Sequence, residues 1–363
     1  MLVRASHLTK AFPIGRRRMW EPTRVVRAVD DVSLSVQAGR SLALVGESGS
    51  GKSTLGQLVA GLVAPSSGSI EFDGRSLTDA DAATRRRLRR DLQVIFQDPY
   101  SSLNPRHTVR TILARPFEVH TSLDRAAVDA EIRTLLGLVG LGPADELMGR
   151  FPHQFSGGQR QRIVFARAIA LRPRFIVADE PVSSLDMSVK AQLLTLLRTF
   201  QVELGLTYLF ITHELSVVRT VAAEVAVMYL GRVVELAPAN DIFERPLHPY
   251  TVALLASTPS LDPRQARSRS RVPLEGAMPS PVDPPPGCHF HTRCPLAAAV
   301  CREKRPGLRV LGDREVACHF VGQPGFPTTA ALDPGQLDKA RRTSEPYAGS
   351  SLDGQRVTTG SVA

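Results

Sequence analysis

The sequence predicts an α/β fold built on a mixed, largely parallel sheet, and three observations support this prediction. Short apolar runs at residues 41–45, 175–178 and 208–212 are typical of strands that are buried on both faces. A glycine-rich loop follows the first run, and a helix-like segment follows the loop. The chain has 363 residues, of which 43% are hydrophobic, so we expect a main domain with an appendage rather than one small domain.

The loop after the first strand fits the phosphate-binding pattern G-x-x-x-x-G-K-[ST]. Its members are Gly46, Glu47, Ser48, Gly49, Ser50, Gly51, Lys52, Ser53 and Thr54. Glycines let the backbone wrap around phosphate oxygens, and the N-terminus of the next helix adds partial positive charge. We expect Lys52 to reach the β- and γ-phosphates and Ser53 to bind Mg²⁺. The alternative is a glycine-rich turn that matches the pattern by chance. It does not explain why a strand-like run precedes the loop and a helix-like segment follows it, as the pattern requires.

An acidic pair, Asp179 and Glu180, follows the second predicted strand. Open α/β sheets bind ligands at the carboxyl edge of their strands, so Asp179 is a candidate Mg²⁺ ligand, directly or through water. Glu180 is the candidate for polarising the attacking water. The alternative is that the two carboxylates only cap the next helix.

Two more polar residues end strand-like runs and are expected at the same sheet edge. His213 follows residues 208–212, and a contact to the γ-phosphate is predicted for it. Gln97 follows residues 92–96 and is predicted to join Mg²⁺ and the water to the loop that comes after it. Each is an ordinary turn residue when considered alone.

The ordered set of motifs resembles the nucleotide-binding subunit of an ABC transporter over about residues 1–260. Residues 46–54 resemble its Walker A loop, Gln97 its Q-loop glutamine, Asp179 with Glu180 its Walker B pair, and His213 its switch histidine. The signature segment is matched by Ser156, Gly157, Gly158 and Gln159, and the D-loop by Ser184, Leu185 and Asp186. Phe12 lies where this family stacks an aromatic ring on adenine. The resemblance implies a P-loop NTPase cassette with an N-terminal antiparallel β part and an inserted helical subdomain.

The same resemblance implies that two cassettes meet head to tail, so that the signature of one closes on the nucleotide of the other. Ser156 and the N–H groups of Gly157 and Gly158 are then expected to face the partner's γ-phosphate from the start of a helix over residues 159–171. ATP and Mg²⁺ are the implied ligands. Only one cassette is visible in the sequence, so a second must come from another chain.

Two segments narrow the resemblance to the ATPases of oligopeptide, dipeptide and nickel permeases, in particular to the second ATPase of such systems. These segments are residues 97–106 and 245–251. The implied partners are a sister ATPase, two transmembrane permease subunits and an extracytoplasmic binding protein. Alternatives are an importer of nickel or another small solute and a non-transport ABC ATPase of the DNA-repair or translation type. A metabolite kinase is disfavoured because it has no use for the signature segment.

Length and composition agree with a cytosolic subunit, and the resemblance implies a peripheral position at the cytoplasmic face of the inner membrane. No run approaches the roughly 20 apolar residues of a membrane-spanning helix, and the first residues do not resemble a signal peptide. The formal net charge is +10, with arginine clusters at residues 16–18, 85–90 and 267–271. These clusters suit a solvated surface or an anionic leaflet. We expect no nucleic-acid partner, because no recognition motif or stacking aromatic accompanies them.

The four cysteines of the chain lie close together in the sequence, at Cys288, Cys294, Cys301 and Cys318. Clustered thiols in a chain without a secretion signal indicate metal binding rather than disulfides. Their spacing does not match the usual zinc patterns, whereas four thiolates suit a [4Fe–4S] cluster. The resembling ATPases carry a similar cysteine-rich extension, and some hold such a cluster. Zinc and free thiols remain open alternatives.

The predicted organisation has four parts. Residues 1–260 form the cassette, with the helical subdomain at about 98–170. Residues 261–287 form a linker rich in proline and arginine, residues 288–321 the cysteine-rich element, and residues 322–363 a disordered tail.

Overall fold

The computed structural model describes residues 1–15, 24–98, 102–183, 185–257 and 276–322. The strands in these ranges are β1 (Val3–Ile14), β2 (Arg24–Val36), β3 (Ser41–Val45), β4 (Ser67–Phe72), β5 (Arg75–Ser76), β6 (Leu92–Ile95), β7 (Phe175–Asp179), β8 (Thr207–Ile211), β9 (Glu224–Tyr229), β10 (Arg232–Pro238), β11 (Arg309–Leu311) and β12 (Arg314–Val316). The helices are α1 (Lys52–Val59), α2 (Ala82–Asp91), α3 (Val109–His120), α4 (Arg125–Leu138), α5 (Ala144–Met148), α6 (Gly157–Ile169), α7 (Met187–Glu203), α8 (Leu215–Val221), α9 (Ala239–Glu244), α10 (Pro249–Ala256) and α11 (Ala299–Glu303).

The predicted α/β architecture is confirmed by an eight-stranded mixed sheet with the order β11-β12-β10-β9-β3-β8-β7-β6. The five strands from β9 to β6 in this order are paired in parallel, so their carboxyl ends meet at one edge. Strands β3 and β8 are buried along their whole length, which explains their uninterrupted apolar sequences. This edge is where the loop after β3 and the acidic pair at the end of β7 come together.

The N-terminal antiparallel β part is also present, as a four-stranded sheet with the order β2-β1-β4-β5. Its strands alternate between buried and exposed positions in their regular stretches, as expected for a sheet with one face against the core. Leu8 and Val29 on this sheet are fully buried in the same hydrophobic cluster as Leu55 on α1. The second sheet therefore packs against the helix that follows the phosphate-binding loop.

The helical region between β6 and β7 contains α3 to α6. Helix α4 begins at Arg125, where the Asp124 carboxylate accepts a hydrogen bond from the N–H of Ala127 at 2.8 Å. Gly137 lies inside this helix and does not break it, and Gly140, at φ +69°, follows its end. The helix predicted at residues 159–171 is observed two residues earlier, at Gly157–Ile169.

The cysteine-bearing segment continues the core sheet instead of standing apart from it. Strand β12 pairs with β10, with Glu235 opposite Val316, and β11 pairs with β12. The predicted linker is described only from residue 276 onward, and of the predicted tail only residue 322 is described. The arginine clusters at 16–18 and 267–271 lie outside the described residues. Among the helices that the structure describes, none combines the length and the apolar character needed to cross a bilayer.

Candidate functional site

The glycine-rich loop connects β3 to α1 and depends on glycine at two close approaches of the backbone. Gly51 caps α1 at φ +101°, and a Cβ there would lie 2.0 Å from the carbonyl oxygen of Ala28. Gly46, at φ +153°, would place a Cβ 2.2 Å from the carbonyl oxygen of Met228. A side chain at either position would clash with backbone, so the loop can close around a ligand only with glycine at these positions.

Lys52, at the start of α1, is directed back into the loop. Its ammonium donates hydrogen bonds to the carbonyl oxygens of Gly46 and Glu47, at 2.7 and 2.8 Å, and to Ser50 Oγ at 3.3 Å. Burial lowers the pKa of Lys52, while the nearby carboxylates of Glu180, Asp179 and Glu47 act in the opposite direction. The loop therefore holds a buried cation at its centre.

The acidic pair lies beside this cation, at the carboxyl end of β7. Ser53 Oγ donates a hydrogen bond to Asp179 Oδ1 at 3.2 Å. Burial raises the pKa of Asp179 above its ordinary value and Glu180 adds to the rise, while Ser53 and Lys52 act to lower it. A hydroxyl and a carboxylate held together in this way form an oxygen donor set that suits Mg²⁺.

Glu180 is held between Gln97 and His213, so the structure brings together these three side chains that the sequence predicts for the site. His213 Nδ1 donates to Glu180 Oε1 at 2.8 Å, and Gln97 Nε2 donates to Glu180 Oε2 at 2.8 Å. Both carboxylate oxygens are engaged. The carboxylate is well buried, while His213 is half exposed.

The backbone of Glu180 is strained, which fixes where its side chain points. Its φ is +47°, and its N–H donates to the carbonyl oxygen of Ile211 on β8 at 2.8 Å. A non-glycine residue in this conformation costs about 1–3 kcal/mol and persists where the surroundings enforce it. Strain of this kind beside a carboxylate, a cation and a phosphate-binding loop is typical of a catalytic centre.

Comparison with known proteins identifies this arrangement. The family described as "ABC transporter" matches residues 29–183. A probable peptide ABC transporter ATP-binding protein, y4tS of Sinorhizobium fredii, is 50% identical over 319 residues, which cover 88% of this chain and 89% of that protein. The chain belongs to the ABC transporter ATP-binding family. It is therefore an ABC-type ATPase.

Other relatives agree with this assignment. The di/tripeptide transport ATP-binding protein DppF of Pseudomonas aeruginosa is 46% identical over 88% of this chain and 97% of its own length. The oligopeptide transport ATP-binding protein AppF of Bacillus subtilis is 46% identical over 86% of this chain and 94% of its own length. A second family, described as "Oligopeptide/dipeptide transporter, C-terminal region", matches residues 234–301.

Solved structures show the same cassette. The dimeric ATP-binding cassette MJ0796 in a post-hydrolysis state bound to ADP and Pi superposes with a TM-score of 0.58 at 27% identity. The superposition covers 65% of this chain and 98% of the MJ0796 chain. CbiO1 of Clostridium perfringens, part of the ABC transporter complex cbiONQ, gives a TM-score of 0.57 at 26% identity, covering 67% of this chain and 90% of that one.

Residues 156–159, the predicted signature segment, lie at the N-terminus of α6. Ser156 Oγ accepts from the N–H of Gln159 at 3.3 Å, and Gln159 Oε1 accepts from the N–H of Ser156 at 3.0 Å. This capping box brings Gly157 and Gly158 into the first helical turn, which is why α6 begins earlier than predicted. Among the described residues, no hydrogen bond or ion pair joins segment 156–159 to loop 46–54.

The predicted D-loop lies against the predicted signature segment. Leu185 approaches Gly157, whose Cβ would lie 3.5 Å from Leu185 Cδ2. Asp186 caps α7 by accepting from the N–H of Val189 at 3.0 Å. Ser184, the third predicted member, lies outside the described residues.

Phe12 lies near the end of β1 with its ring partly exposed, at 39%. Lys10 Nζ lies 5.2 Å from the centroid of this ring. An exposed aromatic face beside a cation suits stacking on a purine. The position of Phe12 therefore agrees with the family's adenine-stacking residue, and its role remains a prediction.

All four cysteines are free and line one cavity, together with Phe290, His291 and His319. Burial raises the pKa of the Cys288 thiol to about 11 and also raises the pKa values of Cys294 and Cys318. In the ranges that the structure describes, no group of three or more His, Cys, Asp or Glu is placed to hold a metal ion. The spacing in the sequence predicted the clustering of the thiols but not this closed, apolar setting.

Two residues at the phosphate-binding loop were not predicted. Tyr250 Oη accepts from the N–H of Glu47 at 2.9 Å, and Arg293 donates to the Glu47 carboxylate at 2.9 and 3.3 Å. Tyr250 lies within segment 245–251, which resembles the ATPases of peptide and nickel permeases but which did not indicate a contact with the loop. Arg293 belongs to no pattern, since it lies in an ordinary stretch between two cysteines.

Proposed function

We propose that this chain is the ATP-hydrolysing subunit of an importer of di- and oligopeptides. The observation that carries the proposal is similarity along most of the chain, C-terminal region included, to ATP-binding proteins named for peptide transport. A cassette of the general ABC family alone would support ATP hydrolysis but no solute class.

ATP would bind with its triphosphate in loop 46–54 and its adenine against Phe12. Lys52 would exchange its bonds to Gly46 and Glu47 for the β- and γ-phosphates, keeping its charge paired. The N–H groups of the loop and the N-terminus of α1 would add further donors. Mg²⁺, held by Ser53 and Asp179 with Gln97 nearby, would neutralise charge that develops on the phosphates.

Glu180 would orient and polarise the water that attacks the γ-phosphate. The two donors that hold it, Gln97 and His213, fix the direction of its carboxylate. Each carboxylate oxygen can accept a second hydrogen bond, so Glu180 can accept from that water while Gln97 and His213 hold it. His213 bonds Glu180 through Nδ1, and its Nε2 would remain for a contact to the γ-phosphate.

A second cassette would complete the site. Among the described residues, no hydrogen bond joins Ser156, Gly157 or Gly158 to the loop of their own chain, and their helix N-terminus suits the γ-phosphate of a partner's ATP. Gln159, Leu185 and Asp186 would contribute to the same interface. We propose a sister ATPase as the partner, with the interface loosening after the γ-phosphate is lost.

The membrane partners would be two permease subunits, contacted through a groove between the core sheet and the helical region. This groove is a cavity of about 630 Å³ beside Leu62, Phe96, Arg89 and Arg167. Leu62 and Phe96 are 45% and 41% exposed, so apolar surface is available to a permease helix. Gln97 follows Phe96 directly and would connect this groove to Glu180.

The subunit would then lie on the cytoplasmic face of the inner membrane, held there by the permeases. An extracytoplasmic binding protein would deliver the peptide, and no nucleic acid would take part. The non-transport alternative, DNA repair or translation, is not favoured by the relatives, which are named for peptide transport.

For the four cysteines we propose a [4Fe–4S] cluster with Cys288, Cys294, Cys301 and Cys318 as ligands. The support is chemical: four free thiols line one apolar cavity, and thiolates are the usual ligands of such a cluster. The described conformation does not place three of them to hold a metal ion, so binding would require these segments to rearrange. The cluster would supply cross-links between these segments rather than chemistry at the ATP site. Anaerobic purification with iron analysis and a visible spectrum tests this, and iron-free protein with four titratable thiols or bound zinc would contradict it.

The solute class is tested by uptake in cells that lack their own peptide importers. Cells that express this chain with its permeases and binding protein should accumulate labelled di- and oligopeptides, and the Lys52→Ala variant should abolish this uptake. Uptake of nickel ions, but of no peptide, would replace the peptide assignment with the nickel alternative.

A further inference from the structure

The phosphate-binding loop is held from outside the cassette core by one ion pair. Arg293 donates from Nη1 to Glu47 Oε1 at 2.9 Å and from Nη2 to Glu47 Oε2 at 3.3 Å. The Arg293 side chain is only 5% exposed, although the two residues are 246 positions apart. A two-pronged guanidinium–carboxylate contact fixes both direction and distance, so the loop and the cysteine-bearing segment, residues 288–322, are positioned by each other.

Other contacts reach the same loop. The N–H of Glu47 donates to Tyr250 Oη at 2.9 Å, and the Tyr250 ring lies 5.4 Å, centroid to centroid, from Phe290. Phe290 is buried and lies three residues before Arg293. Met278 Sδ lies 3.9 Å from the position that a Cβ on Gly49 would take. The loop is thus contacted at Glu47 and near Gly49 by residues of the C-terminal part of the chain.

The charge of Glu47 gives this contact a consequence for ATP. Its carboxylate belongs to the loop that must accept a triphosphate, and its carbonyl oxygen accepts from Lys52 Nζ at 2.8 Å. An unpaired carboxylate there would repel the phosphates. Arg293 pairs with this carboxylate and offsets its charge.

We propose that Arg293 is a positioning residue of the phosphate-binding loop, through which the cysteine-bearing segment sets the affinity of the ATP site. The proposal rests on the assignment of loop 46–54 to ATP and is independent of the transported solute. Arg293 directly precedes Cys294, and the N–H of Cys288 donates to the carbonyl oxygen of Cys301 at 2.8 Å. Packing around the cysteines therefore holds the backbone from which Arg293 reaches the loop.

A matched control variant distinguishes positioning of the loop by Arg293 from a general role in attaching the cysteine-bearing segment to the cassette. Arg305 also lies on the cysteine-bearing segment and pairs with the cassette, with Nη1 3.3 Å from Asp30 Oδ2. In the described part of the chain, its hydrogen bonds go to Asp30 and His289 and not to the loop. Arg305→Ala removes an anchoring charge while leaving Glu47 paired. A purely structural role predicts similar effects for the two arginines.

The test is equilibrium binding of a fluorescent ATP analogue with Mg²⁺ to the full chain in the Glu180→Gln background. We expect Arg293→Ala to raise the dissociation constant by about 10-fold and Arg293→Lys, which keeps the charge, by about 3-fold. Arg305→Ala should stay within about twofold of the parent. Adding Glu47→Gln to Arg293→Ala should restore most of the lost affinity, because no unpaired carboxylate remains.

Three results would overturn the proposal: unchanged affinity in Arg293→Ala, equal weakening by Arg293→Ala and Arg305→Ala, or a double variant that binds no better than Arg293→Ala. Thermal unfolding without nucleotide monitors folding. Should Arg293→Ala be insoluble, Arg293→Lys decides the question: weakened binding that Glu47→Gln leaves uncorrected, or no weakening, contradicts the proposal. Failure of the parent chain to bind the analogue would instead contradict the ATP assignment itself.

Discussion

His213 Nδ1 lies 2.8 Å from Glu180 Oε1, at the junction of two neighbouring parallel strands of the core sheet. Gln97 holds the other oxygen of the same carboxylate. The residue predicted to activate water is thus held by side chains that follow β6 and β8, on either side of its own strand β7. The direction of the Glu180 carboxylate is therefore set at the carboxyl ends of three neighbouring parallel strands.

Replacing Glu180 should separate binding from hydrolysis. Glu180→Gln keeps the size of the side chain but removes the base, so we expect ATP hydrolysis to fall by roughly 10²–10⁴-fold while ATP binding persists. Glu214→Gln is the control, because Glu214 pairs with Lys190 at 2.7 Å instead of facing the loop. It should retain hydrolysis within about threefold. Phosphate release gives both rates, and rapid turnover by Glu180→Gln would remove Glu180 from the base role.

Lys52→Ala should act on binding instead. It removes a buried ammonium whose three bonds lie inside the phosphate-binding loop, so the dissociation constant for ATP should rise by at least about 100-fold. Lys190→Ala, which loses only its pair with Glu214, should bind ATP normally. Calorimetric titration measures both, and normal affinity in Lys52→Ala would exclude a contact of this lysine with the phosphates.

Asp30 should make stability depend on pH in the acid range. Burial acts to raise its pKa, but the hydrogen bond and charge of Arg232, helped by Arg305, hold the pKa below its ordinary value. A carboxyl with a lowered folded pKa stabilises the fold above about pH 4, and this contribution is lost as pH falls further. Asp30→Asn should therefore reduce the free energy of unfolding at pH 7 by about 1–3 kcal/mol, with the difference shrinking below about pH 4.

The neighbouring carboxyl supplies the control for this prediction. Asp31 is exposed and pairs only with the exposed His7 in the described structure, so Asp31→Asn should change stability by less than about 0.5 kcal/mol. Urea unfolding across pH measures both variants. An Asp30→Asn penalty that stays constant through the acid range would contradict the electrostatic origin.

Two glycines should respond oppositely to alanine. A Cβ on Gly56 would lie 2.2 Å from Ile211 Cδ1 in the core, so Gly56→Ala should cost about 1–3 kcal/mol of unfolding free energy. A Cβ on Gly137 would meet nothing within 4 Å, and this glycine is exposed on α4. Gly137→Ala should add about 0.5–1 kcal/mol. Denaturant unfolding checks both, and stabilisation by Gly56→Ala would show that the packing under α1 is looser than described.

The catalytic edge could be predicted from the sequence because its signals are local. Lys52 and Asp179 each follow a short apolar strand, and parallel strands bring their carboxyl ends together whatever separates them in the chain. The start of α6 was misplaced because two glycines disfavour a helix in isolation, whereas the Ser156–Gln159 capping box admits them to its first turn. Gly137 similarly stays helical because Ile132 and Leu136 anchor α4 in the core.

Contacts between distant segments could not be predicted in this way. Nothing near Glu47 in the sequence indicates that Arg293 will neutralise it, because the contact depends on how the cysteine-bearing segment packs. The pairing of β12 with β10 also cannot be predicted from the sequence, because β12 is only three residues long. Short strands of this kind are selected by the available sheet edge more than by their own sequence.

Whether ATP hydrolysis at Glu180 drives peptide import can be measured in proteoliposomes that hold the complete transporter. ATP hydrolysis and uptake of a labelled dipeptide are measured together for the wild-type chain and for Glu180→Gln. We expect the wild type to perform both and the variant to lose both while still binding ATP. Uptake at the wild-type rate with Glu180→Gln would show that hydrolysis at Glu180 does not drive import.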